Sequence, residues 1–317
     1  MAPEQTSRPL DVSVIIPAYQ AAETLGRALS SVAAQTAAPA EVIVVDDGSS
    51  DGTADVAETF RAVFAHCRFV VLTQSNQGPG AARNAALQAA TCKYVAFLDA
   101  DDEWLAPHLK TTLGWLTSED LLLAAHNEFL VEDGTETLND SLSRLREHTD
   151  PYVAMYRKGC ISTSTVITER EAISRVGGFD PDLANGQDVD LWLALLSPPD
   201  ARFDIFGPPL SRYMIRPGSI NTNISKRYHF FMIITRRWAG QIMHRDGGAM
   251  SDLWFRVSAI HYEAFKGHRK NGNRFSAFSV CLRYPFNMAE ITVRGLIKAA
   301  PHRQLNSTLT PHQATQR

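Results

Sequence analysis

Four short apolar runs in the first hundred residues alternate with segments whose apolar positions recur at helical spacing. The runs are residues 12–17, 41–45, 69–72 and 94–98. The first segment between them places Leu25, Leu29 and Val32 on one side of a helix. The pattern predicts strands and helices in the order β-α-β-α-β-α-β, with short connections. This order is typical of a right-handed, mostly parallel sheet that has helices on both faces.

The remaining helices and strands are predicted from the same periodicities. The second helix is expected to begin at Thr53, its N-cap, and to carry its apolar residues as far as Phe64. Farther along, the predicted elements are a helix over residues 81–90, a strand over 162–167, a short helix over 169–176, a turn over 177–181 and a helix from Asp188 onward. The fold class is therefore α/β, with a mostly parallel sheet.

The carboxyl end of each of the four strands carries residues that are unusual for a plain turn. They are Pro17, Ala18 and Tyr19 after the first strand, Asp46 and Asp47 after the second, residues 76–80 after the third and residues 99–102 after the fourth. Ligands of open α/β sheets bind beyond the carboxyl ends of the strands. One crevice could therefore gather all four segments.

The fourth strand ends in three carboxylates within four positions. Asp99 and Asp101 alternate along an extended backbone, and Ala100 between them keeps the approach clear. The pair could present oxygen atoms to one hard cation, with Mg²⁺ or Mn²⁺ holding a diphosphate as the natural occupant. The alternative is an acidic turn in which Asp102 and Glu103 start the next helix.

Two common phosphate-binding motifs are missing from the sequence. The first βα turn, residues 17–20, lacks the Gly-x-Gly-x-x-Gly pattern, and no Gly-x-x-x-x-Gly-Lys-Ser/Thr loop occurs. NAD and FAD are therefore not expected, and a metal must hold the phosphates. Tyr19 offers a face on which a base could stack, and Asp47 could accept a hydrogen bond from uracil, thymine or guanine. Taken singly, Tyr19 could be a surface aromatic and Asp47 a turn residue.

The composition sets the class of protein. With 317 residues, of which 44% are hydrophobic and 21% charged, we expect one large domain with an appendage. Residues 1–11 lack the apolar segment of a signal peptide, and no window of about 18 apolar residues occurs. We therefore expect a cytoplasmic protein. Its four cysteines lie far apart, without metal-binding or redox spacing, and are expected to be reduced.

Four of these segments, taken together and in this order, resemble the motifs of glycosyltransferase family 2. They are residues 12–19, 44–53, 76–84 and 97–102, and the resemblance continues through residues 177–180 and 186–192. The resemblance covers roughly residues 11–220. It implies the GT-A fold and an inverting transferase that uses a nucleotide-diphosphate sugar.

The resemblance also implies roles for single residues on the donor side. Tyr19, which follows Pro17 and Ala18, would pack on the base, and Asp47 would form a hydrogen bond to it. Gly78 would border the nucleotide. These five residues would form the nucleoside part of a donor site.

The Asp-x-Asp motif maps onto residues 99–101. Asp99 would lie near the ribose, Asp101 would ligate the metal, and Ala100 would lie between them against the donor. Arg83 also falls next to the nucleotide, but it could instead be a structural ion-pairing residue.

Two positions on the acceptor side depart from the family pattern. The family usually has Glu-Asp before its last motif helix, with the aspartate as general base, and this chain has Gln187-Asp188. Asp188 would keep the role of the base, without a neighbouring carboxylate that could raise its pKa. Asp190 is the next candidate. Arg216 stands where relatives commonly have histidine, and it can offer only a fixed cation to phosphate oxygens, which puts metal ligation from this loop in doubt.

The function implied is transfer of a sugar from a nucleotide-diphosphate sugar, with UDP favoured, to a hydroxyl of a glycan or lipid-linked acceptor. Such an enzyme would act in cell-surface polysaccharide assembly. Two alternatives stay open: a non-catalytic, transferase-like binding subunit, and a nucleotidyltransferase on a similar sheet. No nucleic acid partner is expected.

The chain is expected to divide into three parts. The first is a disordered extension (1–10), and the second is the catalytic domain, with a nucleotide-binding half (11–105) and an acceptor half (106–225). The third is a basic, mainly helical region (226–317).

The net charge of −3 conceals the character of that last region. Residues 226–317 contain 15 lysines and arginines against 4 acidic residues, whereas residues 1–225 contain 16 against 30. Its apolar patches are formed by Phe275, Phe278, Leu282, Phe286 and the segment 288–291, with the small residue Ser279 among them, and its basic residues include Arg269, Lys270, Arg274, Arg283, Arg294 and Lys298. This composition suits a helix on an anionic membrane, here the inner face of the plasma membrane. The alternative is packing on the catalytic domain or on a second subunit in a homodimer.

Overall fold

The computed structural model describes residues 8–216, 223–245 and 248–297. These residues form a seven-stranded sheet, a four-stranded sheet, eleven α-helices and one 3₁₀ turn. Most of the predicted N-terminal extension, residues 1–7, lies outside the described residues, as does Lys298 of the basic tail.

In chain order the strands are β1 (Leu10–Ala18), β2 (Pro39–Asp46), β3 (Arg68–Thr73), β4 (Tyr94–Phe97), β5 (Glu103–Trp104), β6 (Leu123–His126), β7 (Glu128–Glu132), β8 (Thr135–Asn139), β9 (Ile167–Glu169), β10 (Phe203–Phe206) and β11 (Ser211–Met214). The large sheet has the order β10-β6-β9-β4-β1-β2-β3, and the second sheet has the order β5-β11-β7-β8. In the large sheet only β9 runs antiparallel to its neighbours, β4 and β6. The prediction of an α/β fold with a mostly parallel sheet is confirmed.

The helices are α1 (Leu25–Ala33), α2 (Thr53–Thr59), α3 (Pro79–Ala89), α4 (His108–Ser118), α5 (Ser141–Leu145), α6 (Pro151–Lys158), α7 (Arg170–Arg175), α8 (Gln187–Leu195), α9 (Ile224–His244), α10 (Met250–Lys270) and α11 (Arg274–Ile297), and the 3₁₀ turn is Thr163–Thr165. The first four strands and three helices follow the predicted β-α-β-α-β-α-β order.

The central strands are buried on both faces, which explains why they lack polar alternation. In β1, Ile15 points into one hydrophobic cluster, and Val14 and Ile16 point into the other. Phe97 of β4 joins the cluster of Ile15, and Leu98 joins the opposite one. Residues of α3, α6 and α8 cover the first face, and residues of α1 and α4 cover the second.

Two expectations about the second helix are wrong. The helix α2 ends at Thr59, and the chain continues in turns that still bury Phe64. The N-cap is Gly52, at φ +90°, and Thr53 is the first helical residue. The Asp51 side chain takes over the local hydrogen bonding, because its Oδ1 accepts from the Thr53 backbone N–H at 3.1 Å and from the Thr53 hydroxyl at 2.6 Å.

One alternative and one further prediction also fail. The alternative in which Asp102 and Glu103 start a helix is wrong, since Glu103 belongs to β5 and α4 begins only at His108. The segment predicted as a strand over 162–167 forms the 3₁₀ turn first, and β9 starts at Ile167. In that turn the Thr165 hydroxyl donates to the Ser162 carbonyl at 2.8 Å, a local bond that competes with the extended conformation.

The C-terminal helices extend the core of the large sheet. Trp238 of α9 and Leu253 and Val257 of α10 belong to the same buried cluster as Phe97 of β4. The helix α11 lies on α9 and α10. Among the residues described, none of the helices is both long enough and apolar enough to span a membrane.

Candidate active site

The turns that follow β1 and β2 are joined by hydrogen bonds into one surface. The backbone N–H of Gln20 donates to the Ser49 hydroxyl at 2.9 Å, and that of Ala21 donates to the Thr53 hydroxyl at 2.9 Å. Gln20 has φ +49°, a left-handed conformation that turns the chain sharply after the strand. The Tyr19 side chain, just before this turn, is 53% exposed. Its ring is therefore available to a planar ligand.

Pro17 and Ala18 are the last residues of β1 and contribute backbone to the same edge. Pro17 lies beside Val45 and Ala18 beside Asp46 in the parallel pairing with β2. The Ala18 carbonyl accepts a hydrogen bond from the Asp47 N–H at 2.8 Å. The Ala18 side chain is buried in the hydrophobic core, so this residue contributes its backbone to the edge.

Asp47 holds the loop that follows β3. Its Oδ1 accepts from the Gln74 side-chain amide at 2.8 Å and from the Gln77 backbone N–H at 2.9 Å, and its Oδ2 accepts from the Gly78 N–H at 2.7 Å. A carboxylate has about four lone-pair positions, so a base could use the remaining one or displace the Gln74 amide. The loop after β3 can approach the loop after β2 this closely because residue 48 is glycine: a Cβ there would lie 2.8 Å from the Asn76 nitrogen.

Arg83 of α3 forms an ion pair with Asp99 at the end of β4. The Arg83 Nη2 donates to the Asp99 Oδ1 at 2.5 Å, and the guanidinium lies 5.4 Å from the ring centroid of Phe179. Its side chain is almost fully buried, and its Nε and Nη1 have no hydrogen-bond partner among the described residues. The ion-pairing role considered for Arg83 is thus observed, and its partner is the first aspartate of the Asp-x-Asp motif.

The next two aspartates differ in their surroundings. Burial and the negative charge of Asp99 raise the pKa of Asp101, while the positive charges of Arg216 and Arg27 oppose that rise. Asp102 is almost fully buried, and its Oδ2 accepts from the Ser164 hydroxyl at 2.6 Å and its Oδ1 from the Met214 N–H at 3.1 Å. Asp102 therefore ties the loop after β4 to the 3₁₀ turn and to β11.

The donor set of this loop fits a hard cation. Asp101 could supply an oxygen ligand, and a divalent ion would relieve the negative charge that Asp99 and Asp101 bring together. No group of three potential ligands among His, Cys, Asp and Glu occurs in the part of the chain that the structure describes. Mg²⁺ commonly binds through one or two carboxylates, with substrate phosphates and water completing its shell, so the loop suits that mode of binding.

The 3₁₀ turn Thr163–Thr165 connects this acidic loop to α8. The Thr163 hydroxyl donates to the Asp188 Oδ2 at 2.9 Å. The next residue, Ser164, accepts from the Asp99 N–H at 3.1 Å and donates to Asp102. Thr163 and Ser164 were not among the predicted site residues, because the segment 162–167 was predicted to be a strand and the 3₁₀ turn that points their hydroxyls at Asp188 and Asp102 was not expected.

Asp188 and Asp190, both in the first turn of α8, have different environments. Asp188 is partly exposed. Asp190 is 0% exposed, and its two oxygens accept from Trp238 Nε1 at 2.8 Å and from Arg237 Nη1 at 2.9 Å. Asp190 therefore anchors α8 on α9. Its burial and its two hydrogen bonds argue against Asp190 as an alternative general base. Gln187 is buried beside Asp188, where the family usually has glutamate.

The motif at residues 177–180 positions the start of α8. Gly177 and Gly178 have φ of +84° and +73°, which only glycine adopts without strain. The Asn84 side chain of α3 donates to the Phe179 carbonyl and accepts from the Phe179 N–H, both at 2.8 Å. Asp180 then pairs with Arg237 at 2.8 Å. This motif joins the donor-side helix α3 to the acceptor-side helix α8.

Arg216 follows β11 and is the last described residue before the gap at 217–222. Its charge reaches Asp101 and opposes the rise in the pKa of that carboxyl. The structure thus brings the arginine that replaces the usual histidine to the acidic loop, where it could contact phosphate oxygens.

The chain combines a mostly parallel sheet, an Asp-x-Asp pair after a central strand and a separate carboxylate at the start of α8. This is the arrangement expected of a GT-A glycosyltransferase. The model of the family described as Glycosyl transferase family 2 matches residues 13–177, a little over half of the chain. The chain belongs to this family and is a glycosyltransferase.

Two curated relatives illustrate the family membership. The amylovoran biosynthesis glycosyltransferase AmsB of Erwinia amylovora is 31% identical over 238 residues, which are 71% of this chain and 77% of AmsB. The UDP-Glc:alpha-D-GlcNAc-diphosphoundecaprenol beta-1,3-glucosyltransferase WfgD of Escherichia coli is 29% identical over 236 residues, 72% of this chain and 83% of WfgD. The chain spans a smaller share of some other relatives, 55% of the relative's length in one case and 33% in another.

Two solved structures share the fold. The S. aureus TarS 1-349 complex with UDP-GlcNAc has a TM-score of 0.65 at 18% identity, over 90% of this chain and 88% of that chain. The mannosyltransferase PcManGT from Pyrobaculum calidifontis, in complex with GDP-Man and Mn²⁺, has a TM-score of 0.59 at 19% identity, over 92% and 88% of the two chains. The GT-A fold is therefore confirmed, and one structure of this fold contains Mn²⁺.

Proposed function

We propose that the protein is an inverting glycosyltransferase that moves a sugar from a UDP-sugar to a hydroxyl of a lipid-linked glycan in cell-surface polysaccharide assembly. WfgD, which transfers glucose from UDP-Glc to a diphosphoundecaprenol-linked sugar, supports this class of donor and acceptor, and AmsB, a glycosyltransferase of amylovoran biosynthesis, supports the role in polysaccharide assembly. Nucleotide sugars and the undecaprenol-linked acceptor would meet at the cytoplasmic face of the membrane.

The donor would bind along the edge formed by β1, β2 and β4. The exposed ring of Tyr19 would stack on the uracil, and Asp47 would accept from the imide N–H at its remaining lone pair. Asp99, held by Arg83, would contact the ribose. Gly78 would allow close approach of the backbone, since nothing lies within 4 Å of a Cβ built there.

The metal site would consist of Asp101 together with donor phosphates. When bound, Mg²⁺ or Mn²⁺ would neutralise the charge that develops on the leaving diphosphate. Arg216 would add a fixed positive charge on the same side, as its effect on Asp101 indicates. Ala100, between the two aspartates, is buried in the hydrophobic cluster of Val14 and Ile16 and holds the loop against the core.

Asp188 would act as the general base for the acceptor hydroxyl. The observation that carries the proposal is the 3₁₀ turn that holds both sides of the site together. Thr163 forms a hydrogen bond to Asp188, and Ser164 forms hydrogen bonds to Asp99 and Asp102. The position of the proposed base relative to the loop after β4 is therefore fixed. A single displacement by the deprotonated acceptor would invert the anomeric centre.

The proposal is tested by measuring nucleoside diphosphate release over a panel of UDP-, GDP- and dTDP-sugars, with and without Mn²⁺ and a polyprenyl-diphosphate-linked acceptor. We expect metal-dependent release from a UDP-sugar that the acceptor accelerates, and a product of inverted anomeric configuration. Binding without turnover of any donor would indicate a non-catalytic subunit. Formation of a nucleotide sugar from nucleoside triphosphate and sugar phosphate would indicate a nucleotidyltransferase.

A further inference from the structure

The helix α11 is apolar on two opposite sides, and only one of them is packed. On the inner side, Val280 and Ile291 are buried against α9 and α10. Gly295 lies so close to α10 that a Cβ there would be 2.6 Å from the Leu253 Cδ1. The Arg236 guanidinium of α9 also donates to Glu290 at 2.9 Å. The helix is therefore held firmly, with its orientation set by the packed side.

The outer side of α11 carries a continuous stripe of exposed apolar side chains. Its members are Phe275, Phe278, Leu282, Phe286, Val293, Leu296 and Ile297, each between 53% and 83% exposed. At about 100° per residue they fall within a sector of about 100°. Within Arg274–Ile297 no charged residue falls inside that sector. A contiguous apolar surface of this kind marks an interaction site. We call these seven residues the outer face of α11.

The charged residues that border the outer face of α11 indicate which kind of surface it can bind. Exposed Arg274 lies on one border, and exposed Arg283 and Arg294 lie on the other. The single carboxylate of the helix, Glu290, is already engaged by Arg236 and Arg294. An apolar stripe between cationic borders is complementary to a surface with an apolar interior and anionic headgroups.

Two other occupants fit less well. A second copy packed through the same face would bring the bordering arginines close to one another. Residues 298–317 of the chain contain only Leu305 and Leu309 as large apolar residues, and no aromatic residue, so they cannot supply a matching apolar strip.

We propose that the outer face of α11 docks the protein on the surface of an anionic lipid bilayer. The phenylalanine rings enter the headgroup region, and Arg274, Arg283 and Arg294 contact lipid phosphates. The helix lies in the plane of the membrane rather than across it, which agrees with its packed inner side. This inference goes beyond the transfer reaction, and its test measures binding rather than turnover.

The structure also decides how the test is made. The helices α9 and α10 share the core of the catalytic sheet, so a chain ending near Ser225 would lose buried contacts of Trp238 and Leu253. Point substitutions of exposed residues avoid that loss. Phe275 and Phe286 are the two most exposed residues of the outer face, and Val63 and Leu138 are exposed apolar residues outside the C-terminal helices.

The experiment is flotation of the full chain with vesicles of phosphatidylcholine containing about 30% phosphatidylglycerol, in about 0.1 M salt. We compare the wild type with Phe275→Ser/Phe286→Ser and with the matched control Val63→Ser/Leu138→Ser. We expect the first variant to lose about tenfold in partitioning and the control to keep it. Arg274→Glu/Arg283→Glu should lose a similar factor, and Lys110→Glu/Arg175→Glu, which changes exposed charges elsewhere, should lose less.

Four results would overturn the proposal. One is a wild-type chain that does not float with these vesicles, and a second is equal flotation of the wild type and Phe275→Ser/Phe286→Ser. A third is equal loss in the two charge-reversed variants, which would show general attraction without a docking face. The fourth comes from light scattering, as a wild-type dimer that Phe275→Ser/Phe286→Ser converts to a monomer without any vesicle binding. That result would assign the outer face to a second copy of the chain.

Discussion

The loop after β4 and the first turn of α8 each contain closely spaced aspartates, but the two regions use them differently. In the loop, Asp101 is partly exposed and its neighbour Asp102 is buried under two hydrogen bonds. In α8, Asp188 is partly exposed and Asp190 is buried against Trp238 and Arg237. In both regions, the hydrogen-bond donors that the tertiary structure supplies decide which carboxylate is buried and structural and which stays partly exposed.

The regions also differ in electrostatics. Three aspartates crowd the loop, and burial, followed by the negative charge of the neighbouring aspartates, raises the pKa of Asp101 and of Asp102. Near α8, Arg237 pairs with both Asp180 and Asp190 and offsets part of their negative charge. A crowded anionic loop is suited to a divalent cation, whereas a single carboxylate whose acidic neighbours are ion-paired is suited to accept one proton.

The largest effect is expected from Asp101→Asn in the loop. Without the metal-binding oxygen, transfer should fall by about 10³-fold or more, since metal stabilisation of developing charge is worth several kcal/mol. Calorimetry of UDP binding with and without Mn²⁺ should show that the metal dependence is lost. The matched variant Asp102→Asn should lower the free energy of unfolding instead. Unchanged metal-dependent affinity and activity in Asp101→Asn would refute the metal role.

Asp188→Asn should reduce kcat by about 10² to 10⁴, because the amide keeps the size of the side chain but cannot take the acceptor proton. Binding of UDP, measured by calorimetry, should remain at the wild-type level. The free energy of unfolding should change little, since Asp188 is partly exposed. Near-normal turnover would move the base to another residue.

Asp190→Asn should show the opposite pattern. It leaves Arg237 with one carboxylate partner fewer in a buried setting, so the free energy of unfolding should fall by about 3 kcal/mol. Urea unfolding of Asp188→Asn and Asp190→Asn side by side measures the difference. If both variants unfolded alike, the division into an exposed and a structural aspartate would be wrong.

The smallest effect is expected from Thr163→Val, which removes the donor to Asp188. The loss of one orienting hydrogen bond should lower kcat about tenfold and leave the KM for the donor unchanged. Thr163→Ser should restore activity. Thr165→Val is the control, because the Thr165 hydroxyl donates only to the Ser162 carbonyl in the same turn. Equal losses in Thr163→Val and Thr165→Val would point to the turn's stability rather than to the bond with Asp188.

Much of the nucleotide-side fold could be predicted from the sequence. Strands such as 12–17 and 94–98 are short apolar runs, and burial on both faces leaves that mark on any sequence. The polar residues after these strands could also be placed together, because parallel strands end at one edge. The N-cap of α2 is less predictable: the sequence favours Thr53, but the N-cap is Gly52 and the acceptor of the local hydrogen bonds is Asp51. The short polar side chains near the start of a helix have similar tendencies to accept these local hydrogen bonds, so the sequence does not single out one of them.

The sequence by itself determined the order of strands and helices, the edge at which the polar residues gather, and the motifs of the family. Only the tertiary structure decided which side chains those residues meet: Arg83 with Asp99, Thr163 with Asp188, and Asn84 with Phe179. It also decided that one side of α11 is packed and the other exposed. Periodicity reports which residues share a face, but a hydrogen bond joins atoms whose distance in the chain carries no pattern. For that reason the sequence predicts the helices and strands, but it does not predict the hydrogen-bond and ion-pair partners of the site residues.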